Sequence, residues 1–156
     1  VIADAVEPLE ILSKEKYIQA IENGMLMLSQ GPEGEVWFDS GINTLNVLEE
    51  NQDAGWKKIR RTKTRFELFD RLHRTISPVI GKINCDSDGI ANVIKLAKDV
   101  LDAMTREGKL MDGADIYEDP QEPHGPEDVH FIVAATDLDS LEKVYLNYQF
   151  NFSAEA

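Results

Sequence analysis

Residues 86–108, DSDGIANVIKLAKDVLDAMTREG, carry the clearest structural signal in the chain. Apolar residues recur there every three or four positions, which is the spacing of one face of an α-helix. Asp86 or Ser87 can cap the start of such a helix, and Gly108 can end it in a left-handed conformation. The pattern predicts a helix over residues 87–107 with a single buried stripe, which consists of Ile90, Val93, Ile94, Ala97, Val100, Leu101 and Met104.

Two further helices are predicted before it. One covers residues 13–23, and the other covers residues 64–77. The second begins at Thr64, because Thr64 and Glu67 have the spacing of a capping box, and it ends before Pro78. Its buried face is predicted to be Phe66, Phe69, Leu72, His73 and Ile76.

Strand patterns occupy residues 25–39, read as a hairpin, and residues 114–117, 129–136 and 142–153. The last of these alternates most regularly, and we expect it to be the strongest strand in the chain. The predicted fold is α+β. A mixed, mainly antiparallel sheet has two principal helices packed on one face and ends in a long C-terminal strand whose apolar positions are Val144, Leu146, Tyr148, Phe150 and Phe152.

Length and composition are typical of one folded domain over residues 1–156, with 42% hydrophobic and 29% charged residues. No apolar run approaches the roughly 20 residues of a membrane-spanning helix, and no secretion signal is predicted at the start. The single cysteine, Cys85, excludes a disulfide within the chain. We therefore expect no membrane partner.

Charge is unevenly distributed along the chain, whose net charge is −13. Residues 57–82 hold nine of the 16 basic groups and only two acids, whereas residues 111–142 hold ten acids and no Lys or Arg. Opposite patches of this kind steer copies of one protein together. We expect Lys58, Arg61 and Arg65 to meet the acidic segment of another subunit. The alternative is that both segments are solvated or pair within one subunit.

The basic run at residues 57–65, beside Trp56 and Phe66, is the feature best suited to nucleic acid. Since residues 57–82 carry a net charge of +7, the rest of the chain carries −20 and would repel a phosphate backbone. We therefore expect a protein partner and no nucleic acid.

Catalytic and metal-binding patterns are absent from the sequence. Residues 86–89 (DSDG) resemble the start of a calcium loop, but the twelfth position, which requires Glu, is Ala97. Residues 81–82 (GK) lack the Ser or Thr of a phosphate loop. We expect no catalytic residue, no metal and no cofactor, and no ligand role for His73, His124 and His130. A small enzyme acting through Asp and Glu is the alternative from another functional class.

Several short segments have sequences similar to those of one protein family. Residues 35–45 (EVWFDSGINTL) are followed soon afterwards by KIR at residues 58–60. Residues 80–84 (IGKIN) precede Asp-Gly at residues 88–89, and DSLEKVY lies at residues 139–145. In this order they resemble the C-terminal region of the tail sheath proteins of contractile phages, prophages and phage-tail-like bacteriocin particles.

The resemblance implies a structural protein that stacks in helical rows around a tail tube and contracts when a baseplate triggers it. Its partners would be copies of itself and the tube and baseplate proteins. It would assemble in the bacterial cytoplasm and end in a virion tail or a phage-tail-like particle. A tube or baseplate protein of the same particle is the alternative.

The resemblance also implies that extended chain termini complete sheets in neighbouring subunits. Residues 142–156 are therefore expected to form an inter-subunit arm. Its predicted contact residues are Val144, Leu146, Tyr148, Phe150 and Phe152.

Overall fold

The computed structural model describes residues 2, 4, 5, 7, 8, 12–142 and 144–150, in which three helices accompany two pairs of short strands. This confirms the α+β class. Within these residues no helix is long and apolar enough to cross a membrane. The elements in chain order are α1 (Lys14–Glu22), β1 (Leu28–Gln30), β2 (Val36–Phe38), a 3₁₀ helix (Ala54–Lys57), α2 (Ile59–Ile76), α3 (Ser87–Arg106), β3 (Asp115–Glu118) and β4 (Phe131–Ala134).

Helix α3 forms as its sequence predicts. Asp86 is the N-cap, and its Oδ1 accepts a hydrogen bond of 2.8 Å from the backbone N–H of Gly89. The predicted stripe supplies the buried positions Ile90, Val93, Ala97, Leu101 and Met104. This stripe packs against α2 on one side and β3 on the other, so α3 is the centre of the fold.

Helix α2 departs from its prediction in both start and orientation. It begins at Ile59, five residues early, so Thr64 lies buried inside the helix and the predicted capping box is wrong. Leu68 faces the core, whereas Phe66 and Phe69 are 60% and 54% exposed. The predicted face was rotated because the true inward row includes polar residues, namely Arg61, Thr64 and Arg65, besides Leu68, Leu72 and Ile76.

The strands form two separate antiparallel sheets, not the single sheet expected. Strand β1 pairs with β2, and β3 pairs with β4. Helix α3 lies against β3, and α2 lies against α3, so the two helices do not share one face of a sheet. No strand forms within residues 144–150, and no backbone hydrogen bond joins them to another described segment.

The hydrophobic core lies where the two long helices meet the β3–β4 pair. Its buried members are Leu68, Ala97, Leu101, Met104, Leu110 and Ile116, with Phe131 of β4 packed against them. Leu101 and Met104 are fully enclosed. Removing apolar surface of this kind from water is the main driving force of folding.

Near the start of the described chain, α1 and the β1–β2 hairpin lie beside the turn at residues 41–45. Gly24 ends α1 with a φ of +77°, and a Cβ there would lie 2.8 Å from the carbonyl oxygen of Asn43. A glycine is therefore required at this position both for its backbone angle and for space. The turn at residues 41–45, which Gly24 contacts, is hydrogen-bonded to Lys57 and Ile59 in the candidate site.

Candidate interaction site

Among the described residues, the carboxylate of Asp137 accepts the largest number of side-chain hydrogen bonds, and its side chain is only 7% exposed. Arg61 donates to it through Nε and Nη2, at 2.8 and 3.0 Å. Arg65 donates to it through the same two nitrogens, at 3.2 and 3.1 Å. Because Arg61 and Arg65 are four residues apart on α2, both guanidinium groups point to the same side of the helix. Two arginines thus share one buried acid.

The arginines also have a second acidic partner and an aromatic one. Arg65 forms an ion pair with Asp53, and Nη2 of Arg61 lies 3.7 Å from the same carboxylate. The guanidinium of Arg65 also lies over the ring of Trp56, 4.6 Å from its centroid, in a cation–π contact. We refer to Asp53, Trp56, Arg61, Arg65 and Asp137 as the arginine cluster.

Two opposing effects set the pKa of Asp137. Burial acts to raise the pKa, but the hydrogen bonds from Arg61 and Arg65 outweigh it and lower the pKa to about 2. The pKa of Asp53 is also lowered, first by a backbone hydrogen bond from Gly55 and then by Arg65. Both carboxylates are therefore ionised at neutral pH, and the cluster is a paired set of charges.

The chain after Asp137 stays attached to the body for five more residues. The N–H of Leu138 donates to the carbonyl of Lys109 at 2.9 Å. Nη1 of Arg60 donates to Oγ of Ser140 at 3.1 Å, and Nζ of Lys58 pairs with Glu142 at 2.5 Å. Residues 137–142 therefore lie along the first turns of α2.

The turn at residues 41–45 is hydrogen-bonded to the 3₁₀ helix and to the start of α2. The side-chain amide of Asn43 donates to the carbonyl of Trp56 at 2.7 Å, and its backbone N–H donates to the carbonyl of Lys57 at 2.9 Å. The N–H of Ile59 donates to the carbonyl of Gly41 at 2.8 Å. These bonds fix the 3₁₀ helix and the start of α2, which carry the basic side chains.

Three of the segments on which the family resemblance rests thus meet at one place, namely residues 41–45, 58–60 and 139–142. The other segment, residues 80–84, lies elsewhere, in the connection between α2 and α3. An apolar pocket of about 260 Å³ adjoins that connection, and its titratable lining residues are Cys85 and Glu127. Within the described residues no group of three or more His, Cys, Asp or Glu is placed to hold a metal ion.

Beyond residue 142 the chain leaves the body. Val144, Tyr145, Leu146, Tyr148 and Phe150 are 65–88% exposed. The rings of Tyr148 and Phe150 stack on each other with centroids 6.3 Å apart, as side chains two residues apart in an extended chain can. No hydrogen bond or ion pair joins residues 144–150 to any other described residue. We refer to residues 144–150 as the C-terminal arm.

The predicted contact residues fall into two groups in the structure. Lys58, Arg61 and Arg65 are all engaged with acids of the same chain, which is the alternative left open by the charge pattern. A contact between them and another subunit stays a prediction. The arm supplies the second group of predicted residues, namely Val144, Leu146, Tyr148 and Phe150, whereas Phe152 lies outside the described residues.

Sequence reasoning identified the basic residues but not their partners, Asp137 and Asp53. The Arg61–Asp137 pair joins positions 76 residues apart, so no local pattern reveals it. The sequence signal for an acidic partner is the i, i+4 spacing of Arg61 and Arg65, which places two cations on one side of a helix. If that side is buried, the two cations require a nearby acid.

No protein-family model matches the chain, and no curated protein matches it. Among solved structures, the chain is similar to the crystal structure of the sheath tail protein Lin1278 from Listeria innocua, with a TM-score of 0.63 and 12% sequence identity. The similarity covers 85% of this chain and 35% of that protein, so the chain spans about a third of its length. The two share a fold over this region.

Proposed function

We propose that the chain is the C-terminal part of a contractile tail sheath subunit, which polymerises helically with copies of itself around a tail tube and contracts to drive the tube through a bacterial envelope. The fold similarity to a sheath tail protein supports the general class. The meeting of the sequence segments at residues 41–45, 58–60 and 139–142 adds support that does not depend on overall shape. The subunit has a structural role, with tube and baseplate proteins as its further partners.

The observation that carries the proposal is the exposed C-terminal arm. Its residues alternate, so that Val144, Leu146, Tyr148 and Phe150 share one apolar face when the chain is extended. Exposed apolar side chains are costly in water, and the arm's backbone groups, which water can solvate, are free to pair with another strand. A partner that covers the apolar face and pairs with the backbone would therefore stabilise the arm. An added strand at the sheet edge of a neighbouring subunit supplies both.

A contact of this kind also explains polymerisation. The arm of one copy docks on a different surface of the next, which is a head-to-tail contact and not a symmetric one. Head-to-tail contacts that do not close into a ring generate helical rows. Assembly would take place in the bacterial cytoplasm, and the product would be a virion tail or a phage-tail-like particle.

The test is assembly of the full-length protein that contains this chain, followed by electron microscopy. We expect striated sleeves from the wild type, and a folded but unpolymerised protein after removal of residues 144–156. A matched pair of double variants separates the two faces of the arm. Replacement of Tyr148 and Phe150 by Ser should abolish sleeves, whereas replacement of Asn147 and Gln149 by Ser should leave them.

Normal sleeves from the truncated protein would refute the linking role of the arm. Smooth tubes without an outer sleeve would instead favour the tail tube alternative. Globular subunits from the wild type under all assembly conditions would refute the polymer itself.

A further inference from the structure

The environment of the chain changes abruptly between Asp137 and the arm. The side chain of Asp137 is 7% exposed, whereas Val144, the first described residue of the arm, is 65% exposed. Every described residue of the arm is exposed. The border between body and arm therefore lies just after the last ion pair, at Glu142.

We infer that Asp137 is a positioning residue, which Arg61 and Arg65 hold so that the C-terminal arm leaves the body at one place and in one direction. This inference rests on the proposed function, because it concerns how the arm is presented to a neighbouring subunit.

The order of the contacts gives the direction. As the chain advances from Asp137 through Ser140 to Glu142, its partners move back along α2 from Arg65 and Arg61 through Arg60 to Lys58, the N-cap of that helix. Residues 137–142 therefore run antiparallel to α2 and point past its N-terminal end. Contacts at three positions spaced along the segment fix its direction, whereas a single contact would leave the segment free to rotate about it.

Asp137 is the contact that matters most among the three. Lys58–Glu142 and Arg60–Ser140 are exposed contacts that each use a single hydrogen bond, and such contacts contribute little. Asp137 is buried and receives two hydrogen bonds from each of two arginines. A planar guanidinium that binds both oxygens of a carboxylate fixes orientation as well as distance, which an ammonium group does not.

The arginines cannot easily follow Asp137 if it moves. Arg65 is held by Asp53 and by the ring of Trp56, and both of these belong to the segment fixed by the turn at Asn43. The anchor is therefore part of the rigid body, and Asp137 is the residue through which the outgoing chain is attached to it.

The test uses Asp137→Asn in the full-length protein, with Asp70→Asn as a matched control. Asp70 makes one exposed ion pair, to Arg74 on the same helix, and undergoes the same chemical change. We expect the Leu138 amide to exchange about tenfold faster in Asp137→Asn, with α3 unaffected. Asp70→Asn should exchange like the wild type, and Asp137→Glu should recover part of the protection. Sleeves should be sparse or misshapen in Asp137→Asn and normal in Asp70→Asn.

If Asp137→Asn also raises amide exchange throughout α2, that variant has a folding defect and does not test the position of the arm. Arg61→Lys is then used instead, because it keeps the positive charge but removes the two-nitrogen contact with Asp137. The inference is overturned if the wild type forms sleeves and Asp137→Asn forms the same sleeves. Where Asp137→Asn perturbs α2, the comparison is made with Arg61→Lys instead. Unchanged exchange at Leu138 overturns it as well. Absence of sleeves in the wild type refutes the proposed function instead, and the exchange measurement still tests the anchor.

Discussion

A Cβ atom placed on Gly55 would lie 2.5 Å from Nη2 of Arg65 and 2.6 Å from Cζ of Arg61. Gly55 is buried in the 3₁₀ helix, and the two guanidinium groups occupy the space that a side chain would fill. The arginine cluster therefore depends on a residue that has no side chain of its own.

The first prediction is that Gly55→Ala destabilises the protein by about 1–3 kcal/mol, because the added methyl group displaces at least one guanidinium from its carboxylate. Denaturant unfolding measures the change. Gly41→Ala is the matched control, since a Cβ at Gly41 meets no atom within 4 Å, and we expect its effect to stay within about 0.5 kcal/mol. Equal effects of the two variants would contradict the steric argument.

The second prediction compares two large apolar residues of the helices. Leu101 is fully buried in the core, so Leu101→Ala should cost about 2–5 kcal/mol through lost burial and a residual cavity. Phe69 is 54% exposed and touches Phe66 edge to face, so Phe69→Ala should cost about 1 kcal/mol or less. Calorimetric unfolding gives both values. A larger loss at Phe69 than at Leu101 would show that Phe69, and not Leu68, faces the core.

The third prediction concerns pH. The pKa of Asp137 is lowered from 3.8 to about 2, so its contribution to stability is complete above about pH 5 and is lost as the pH falls through 4 towards 2. The difference corresponds to roughly 2 kcal/mol. Protonated Asp resembles Asn, so the stability gap between the wild type and Asp137→Asn should narrow over this interval. A constant gap between pH 6 and pH 2 would mean that the Asp137 charge is not the stabilising feature.

The fourth prediction separates the two kinds of basic residue. Arg65→Ala removes one of the two arginine partners of the enclosed Asp137 and also the ion pair with the exposed Asp53, and it should cost about 2–4 kcal/mol. Lys58→Ala removes a partly exposed pair with Glu142 and should cost less than about 1 kcal/mol. Urea unfolding at low and high salt tests both, because salt should weaken the Lys58 pair more. Reversal of the order would indicate that the arginine cluster is solvated.

The predicted contact of residues 57–65 with another subunit is best tested through Lys58. Replacing Lys58 by Glu should leave the fold intact but breaks the pair with Glu142, and adding Glu142→Lys restores that pair with its charges exchanged. A loss of sleeves that persists in the double variant would indicate a contact of Lys58 outside the subunit, whereas recovery would show that the pair within the subunit is the one that matters. The same substitution at Arg61 would mix a folding defect with any assembly defect, since Arg61 pairs with a buried acid.

The parts of the fold that the sequence predicts are those with strong local signals. Helix α3 has one apolar stripe, a capping Asp and a terminal glycine, and all three agree. The β1–β2 hairpin has a Gly-Pro-Glu-Gly turn between two short apolar runs. In both cases neighbouring residues supply the information, so distant contacts were not needed.

The predicted start and buried face of α2 are wrong because the inward side of this helix is partly polar. Arg61, Thr64 and Arg65 face inward, and the arginines are stabilised there by Asp137, which is far away in sequence. A search for apolar spacing places Phe66 and Phe69 inside instead, which rotates the helix. Ion pairing with a distant acid is a tertiary property that hydrophobic periodicity does not contain.

The C-terminal strand illustrates a different limit. Alternation at Val144, Leu146, Tyr148 and Phe150 indicates a chain suited to strand pairing, but a strand also needs a neighbour. The described part of the single chain provides none beside residues 144–150. Sequence can therefore predict that a segment is able to pair without indicating whether its partner lies in the same molecule.

The seven residues of the arm, VYLNYQF, contain no charge, no proline and no glycine. Short uncharged segments of high β-propensity are those that stack into amyloid, so an arm left exposed is an aggregation hazard. Like-charge repulsion between copies of the chain opposes such stacking, and the net charge of −13 over these 156 residues provides it. The acidity of the chain thus favours colloidal stability, and this protection weakens as salt screens the charge.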